Sequence, residues 1–276
     1  MNTWYPGYMK KYNDYFVKNQ DKYDVIITLA DARAPIATLD FDIFKKFPNH
    51  THILVLTKSD LADKRELNLF LNYFNQSKKI PTISLDLSKS LSKGTINKLF
   101  DLIIKTYQKN NLKIPLIYTI LVMGFPNIGK STLINRLYRK NIVQAANKPG
   151  VTKRPQLLKI NEKFYIFDFP GITIKKFSDS KQWIIANLVN TLSHKVAEIS
   201  SINQFAFSYL FENYRKVLTK IFACNRFEET ITYLEFLNQV KAQKHFSSLE
   251  ATEVYIFNSF KAIKEPITWE KINLNS

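Results

Sequence analysis

Short apolar runs alternate with stretches of helical periodicity over residues 24–171. Five runs read as buried strands: Asp24–Ala30 (DVIITLA), His52–Thr57 (HILVLT), Pro81–Leu85, Leu116–Met123 (LIYTILVM) and Lys163–Phe169 (KFYIFDF). They are rich in β-branched and aromatic residues with little polar alternation, the pattern of parallel strands covered on both faces. Between them the spacing predicts helices over 61–75, 94–109 and 130–139. Such alternation predicts a doubly wound, mostly parallel α/β domain. No glycine follows Gly171, and long 3.6-residue periods appear at 181–193, 203–223 and 226–240. Trp183, Phe205, Phe207, Leu210, Tyr214 and Leu218 mark their inward stripes. Two domains are therefore expected, an α/β domain over 1–175 and a mainly α-helical one over 176–276. The run Glu253–Ile263 fits a strand or the end of a helix.

Composition narrows the class. With 276 residues, 45% of them hydrophobic, the chain has material for a substantial core. The longest apolar stretch, Ile114 to Pro126, is interrupted by Pro115 and falls well short of the ~20 residues a membrane helix needs. The first residues carry no apolar signal core and no Arg/Ser-rich transit pattern, so a cytoplasmic protein without stable membrane insertion is expected. The single cysteine, Cys224, excludes an internal disulfide and a multi-cysteine zinc site. Net charge is +17, and it is uneven: residues 1–171 carry 27 Lys+Arg against 13 Asp+Glu, residues 172–276 only 13 against 10. A basic first half suits a polyanionic partner, nucleic acid or an anionic membrane.

The chemistry is concentrated in three motifs. Gly124-Phe125-Pro126-Asn127-Ile128-Gly129-Lys130-Ser131 fits G-x-x-x-x-G-K-[ST], and it follows one expected strand and opens a helix at Thr132. In that context glycines let backbone amides wrap a pyrophosphate, Lys130 neutralises the β/γ phosphates and Ser131 is the expected Mg²⁺ ligand. Asp168-Phe169-Pro170-Gly171 supplies D-x-x-G at a strand end, with Asp168 placed to hold Mg²⁺ through water and the Gly171 amide to meet a γ-phosphate. Between them, Lys148-Pro149-Gly150-Val151-Thr152 offers Thr152 as a further Mg²⁺ ligand. Thr57-Lys58-Ser59-Asp60 matches [NT]-K-x-D, in which Asp60 accepts from guanine N–H groups and the Lys58 stem covers the ring. Helix capping by Ser59 or Asp60 is the competing structural reading. Ser84-Leu85-Asp86 is a weaker candidate for a loop bracing the base.

Usual GTPases place the base-reading motif last, whereas here it precedes the phosphate loop. All these loops leave one edge of a sheet, so the chain can begin elsewhere without disturbing the site. This order, with Trp4-Tyr5-Pro6-Gly7-Tyr8-Met9 and Asp31-Ala32-Arg33-Ala34-Pro35, resembles the YlqF/YawG family of circularly permuted GTPases over nearly the whole chain. The resemblance implies a P-loop GTPase cycling between GTP and GDP with Mg²⁺ and K⁺. It also implies late action in large-ribosomal-subunit assembly, contact with the subunit precursor, rRNA and ribosomal proteins, and a monomer, with Arg136, Arg139, Lys140, Lys153 and Arg154 suited to phosphate contacts. On the same ground Asn127 is a K⁺ ligand, Ile128, Gly129 and Thr132 complete the nucleotide cradle, and Ile172 stands where other GTPases orient water with Gln. Tyr8 occupies the position of the family's proposed catalytic His, Thr57 that of the base-loop Asn, and Phe169 that of the Thr in D-T-P-G. Alternatives are an rRNA-binding factor gated by nucleotide with feeble hydrolysis, and an organellar ribosome-associated GTPase.

Overall fold

A computed structural model describes residues 15–110, 113–139, 156–168, 177, 179–192, 199–223 and 230–272. Six strands form one sheet: β1 (Val25–Asp31), β2 (Thr51–Thr57), β3 (Thr82–Leu85), β4 (Tyr118–Met123), β5 (Gln156–Lys159) and β6 (Phe164–Asp168). Their order is β3-β2-β1-β4-β6-β5, all parallel except β5, which runs antiparallel to β6 at the edge. Strand β1 is buried along its whole length, as its unbroken apolar sequence predicts. The edge strand β5 was not foreseen, because Gln156–Lys159 is short and its sequence carries no long apolar run. A turn in which Asn161 Oδ1 accepts from Lys163 N and Phe164 N joins it to β6.

The expected helices of the α/β half are α2 (Lys64–Asn72), α3 (Lys93–Lys109) and α4 (Lys130–Tyr138); a short α1 (Asp42–Lys46) adds to them. Asp63 and Ser92 cap α2 and α3 through their side-chain oxygens. On one face of the sheet, Val25, Ile27, Leu29, Ile53 and Val55 pack with Ile96, Leu99 and Ile103 of α3 and Leu133, Ile134 and Leu137 of α4. On the other face, Leu54 and Leu56 meet Leu67 and Phe70 of α2.

Among the described residues five helices follow: α5 (Ser180–Leu188), α6 (Ile199–Asn213), α7 (Arg215–Phe222), α8 (Tyr233–Gln243) and α9 (Leu249–Lys261). The single period expected over 203–223 is two helices, broken at Tyr214, and the undecided run at 253–263 belongs to helix α9. Phe207, Phe222, Phe236, Phe257 and Phe260 form their aromatic core, with Phe207 stacked on Phe236 at 4.6 Å. Ala34 and Ala37, from the loop after β1, belong to the same cluster, so the two halves share a hydrophobic boundary. Among the described residues, no helix is long and apolar enough to cross a membrane.

Candidate nucleotide site

The five parallel strands end at one edge of the sheet, with Asp31 paired to Thr57 and Thr57 to Leu85. The order reverses between β1 and β4, which is where α/β sheets open a crevice beyond their carboxyl ends. The G-x-x-x-x-G-K-S segment fills the turn from β4 to α4. Gly124 and Gly129 have φ of 147° and 111°, and a Cβ on Gly124 would stand 2.9 Å from Leu29 O. Buried Phe125 and Ile128 pin the loop to the core. Lys130 is buried at the start of α4, its Nζ donating to Gly124 O (2.8 Å) and Phe125 O (2.6 Å). The ammonium thus lies inside the curve of the loop. Ser131 and Thr132 follow in the first turn of α4, where helix amides and the dipole favour an anion.

The Thr57–Asp60 loop leaves β2 beside this turn. Thr57 is buried, and its Oγ1 lies 2.7 Å from Ile128 O and 3.1 Å from Ala30 O. A hydroxyl has one proton, and the shorter distance directs it to the phosphate loop. The Thr that replaces Asn therefore still ties the two loops together. Lys58 takes a left-handed backbone (φ 56°), and Ser59–Leu61 form a single tight turn. Neither Ser59 nor Asp60 caps α2: that work falls to Asp63 Oδ1, which accepts from Arg65 N and Glu66 N. The capping alternative for Asp60 is thereby removed.

Asp60 faces Asp86, the residue just beyond β3. Partial desolvation, with the Asp86 charge adding to it, pushes the Asp60 carboxyl above its ordinary range. A ligand presenting two N–H donors would relieve that repulsion. Ser84 lies within β3, in register with Leu56, whereas Asp86 stands next to Asp60. Arg136, expected among the polyanion contacts, instead braces this loop, its guanidinium donating to Leu87 O and Ser88 O at 3.3 Å.

An ionic network beneath the loop was not anticipated. Asp31 is fully buried at the end of β1. Its Oδ1 accepts from Arg33 N (3.0 Å) and Nε (2.9 Å), and its Oδ2 from Arg33 Nη2 and Lys58 Nζ, both at 2.8 Å. Burial opposes the carboxylate, but Lys58 and Arg33 outweigh it and bring its pKa down to about 2. Arg33 Nη2 also reaches Val189 O (3.2 Å), and Asn127 Nδ2 reaches the neighbouring Asn190 O (3.1 Å). The turn that ends α5 thus touches both the ionic network and the phosphate loop. The pairing of Asp31 with Lys58 had a trace in the sequence, opposite charges at the ends of adjacent strands.

Tyr8, Thr152, Gly171 and Ile172 lie outside the described residues, as do Lys140, Lys153 and Arg154. Asp168 ends β6, next to Phe167, which pairs with Leu121 of β4; its backbone therefore sits at the loop edge of the sheet. Two of the four histidines pack against backbone: His50 Nε2 is 3.0 Å from Gln20 O and His52 Nε2 is 2.7 Å from Phe47 O. No group of three His, Cys, Asp or Glu side chains that could hold a metal occurs among the described residues.

A profile of the 50S ribosome-binding GTPase family matches residues 119–223, the phosphate loop included. The chain is 33% identical over 218 residues to a probable ribosome biogenesis GTPase A of Mycoplasma genitalium, covering 78% of this chain and 77% of that protein. It is 28% identical over 237 residues to the ribosome biogenesis GTPase A of Bacillus licheniformis, covering 84% and 82%. The crystal structure of GNP-bound YlqF from T. maritima superposes with a TM-score of 0.62 at 19% identity, covering 95% of this chain and 100% of that one. The last likeness is one of fold.

Proposed function

The chain belongs to the ribosome biogenesis GTPase A family, and from that premise we propose that it is a GTP-hydrolysing assembly factor for the large ribosomal subunit. It binds the subunit precursor as the GTP form, through rRNA and ribosomal proteins, and leaves after hydrolysis. It works in the cytoplasm as a monomer. The observation that carries the nucleotide part is the Thr57 hydroxyl bonded to Ile128 O, which makes the base-reading loop and the phosphate loop one cradle despite their reversed order in the chain. Lys130 and the amides around Gly129 bind the phosphates, Asp60 reads guanine, Lys58 covers the base, and Thr152 and Gly171 sense the γ-phosphate. Ser131, Thr152 and Asp168 would hold Mg²⁺, which neutralises phosphate charge when bound, and Asn127 would hold K⁺.

Hydrolysis needs a group that orients water. Ile172 cannot do so, and a phenol such as Tyr8 can position a water but is a poor base near neutral pH. Slow intrinsic turnover, stimulated by the subunit, follows. The test is GTP turnover in K⁺ buffer, alone and with precursor or mature large subunits, for the chain and for Tyr8→His. Stimulation by subunits, with a faster Tyr8→His variant, supports the reading. Absent turnover under every condition favours a binding factor gated by nucleotide.

A further inference from the structure

The segment that follows α9 returns to the α/β half and binds on both sides of the base-reading loop. On one side Ile267 N donates to Leu61 O (3.1 Å), and Asp63 N donates to Thr268 Oγ1 (3.2 Å). On the other, Trp269 N donates to Arg33 O (2.6 Å), while the Glu270 carboxylate accepts from Ile36 N (2.7 Å) and Ala37 N (2.8 Å). Trp269 and Thr268 are buried, and Tyr209 OH and Tyr214 OH hold the backbone of Thr268 from the α6–α7 break, at 2.8 and 3.2 Å. Residues 267–270 therefore form a strap between the helical half and the edge that carries Thr57–Asp60.

The loop under the strap is itself closed. Asp31 N donates to Thr38 Oγ1, which donates to Ala34 O, and Ala34 N returns to Asp31 O. Two amides of that loop, at Ile36 and Ala37, end on Glu270, a contact that spans 234 residues of chain. From Asp31 the restraint continues through its carboxylate to Lys58 Nζ. Lys58 has a left-handed backbone, unfavourable for a residue with a Cβ, and such a conformation persists where its surroundings hold it.

We propose that the 267–270 strap is a positioning element for guanine recognition, holding Lys58 and Asp60 through the 31–38 loop on one side and Leu61–Asp63 on the other. Guanine selectivity is then a property of the joined halves, although the base-reading motif lies in the α/β half alone. The inference rests on the assignment of Lys58 and Asp60 to guanine. Glu270 is the residue to change, since its carboxylate bonds Ile36 N and Ala37 N of the 31–38 loop.

The experiment compares GDP with inosine diphosphate, which lacks the exocyclic amine that a correctly placed Asp60 accepts from. Dissociation constants of both are measured by calorimetry on the full chain and on Glu270→Ala. For the unaltered chain the IDP/GDP ratio is expected at roughly 10–100, the worth of one charge-assisted hydrogen bond. Glu270→Ala is expected to shrink that ratio about 5-fold or more, whereas a variant that merely loosens the fold weakens both ligands together and leaves the ratio intact. Glu270→Gln retains shape and one acceptor oxygen; it carries the test should the alanine variant fail to fold, and is expected to fall between the two. An unchanged ratio in the variant that folds overturns the inference and leaves the base-reading assignment standing. A ratio near 1 in the unaltered chain overturns that assignment and the inference with it.

Discussion

Replacing Asp31 by Asn keeps the size of the side chain and removes the negative charge from between two cations. Asp31 is 0% exposed and Arg33 only 7%, so the guanidinium cannot reach water without rearrangement. Breaking a buried pair by removing one partner costs about 3–5 kcal/mol, because the other charge stays behind uncompensated. The Lys58 side chain is 25% exposed and can turn outward, which places Asp31→Asn at the lower end, near 3 kcal/mol. Acid supplies an independent check. The folded pKa of about 2 lies below the ordinary 3.8, so this group's stabilisation is fully present above the ordinary value and is lost as pH falls through about 2. The whole contribution is on the order of 2 kcal/mol, of which about half is gone by pH ~3.

The assay is urea unfolding followed by tryptophan fluorescence, with Trp269 buried in the strap as an internal reporter. The gap between the chain and Asp31→Asn should be about 3 kcal/mol at pH ~7 and narrow by about 1 kcal/mol at pH ~3. A gap under about 0.5 kcal/mol at neutral pH, or one that widens in acid, refutes the ionic account of this loop.

Four further outcomes follow from the geometry. Thr57→Val removes the hydroxyl from Ile128 O and should weaken GDP binding about 10-fold, while Thr57→Asn, with two N–H donors for two carbonyls, should retain it, as titration calorimetry would show. Asp60→Asn replaces an acceptor by a donor and should lower GDP affinity roughly 100-fold while improving that for xanthosine diphosphate, whose ring bears a carbonyl in place of the amine. Gly124→Ala pushes a Cβ against Leu29 O in a backbone region foreign to L-residues; loss of nucleotide binding with about 2 kcal/mol or more of stability is expected in binding and denaturation assays. Glu253, which accepts from Ser200 Oγ, Asn203 Nδ2 and Tyr233 OH, ties α6, α8 and α9 together; Glu253→Leu should cost about 2–3 kcal/mol in urea unfolding without changing guanine selectivity.

The strands and the phosphate loop were legible because their signals are local. An apolar run such as Val25–Asp31 needs two covered faces, and G-x-x-x-x-G-K-S needs a turn that places Lys130 at a helix start. Asp60 could be read as a base reader but not separated from a helix cap until Asp63 was seen to take that role. The break at Tyr214 left no mark on the apolar period, which runs through it; Tyr214 leaves the helical backbone there while its hydroxyl accepts from the distant Thr268 N. Arg136 had the composition of a phosphate contact, and only the placement of Leu87 and Ser88 opposite it turned it inward. Glu270 is illegible for the same reason: hydrogen bonds to two main-chain amides on a remote loop impose no pattern on either sequence.

A buried carboxylate between two cations is a poor way to gain stability, since desolvation consumes most of the attraction and apolar residues of similar volume often do better. What it does provide is placement. Leucine side chains at 31 and 33 could fill this space, yet none could fix the tip of a half-exposed lysine to within hydrogen-bond distance of a strand end. The Asp31 carboxylate does so, and the Arg33 guanidinium that orients it also reaches Val189 O in the helical half. The same few atoms therefore set the Lys58 ammonium and the docking of the helices. A perturbation on either side must act on the other through these bonds. That shared dependence, beyond the stability lost when one partner is removed, is what the Asp31, Arg33 and Lys58 charges contribute.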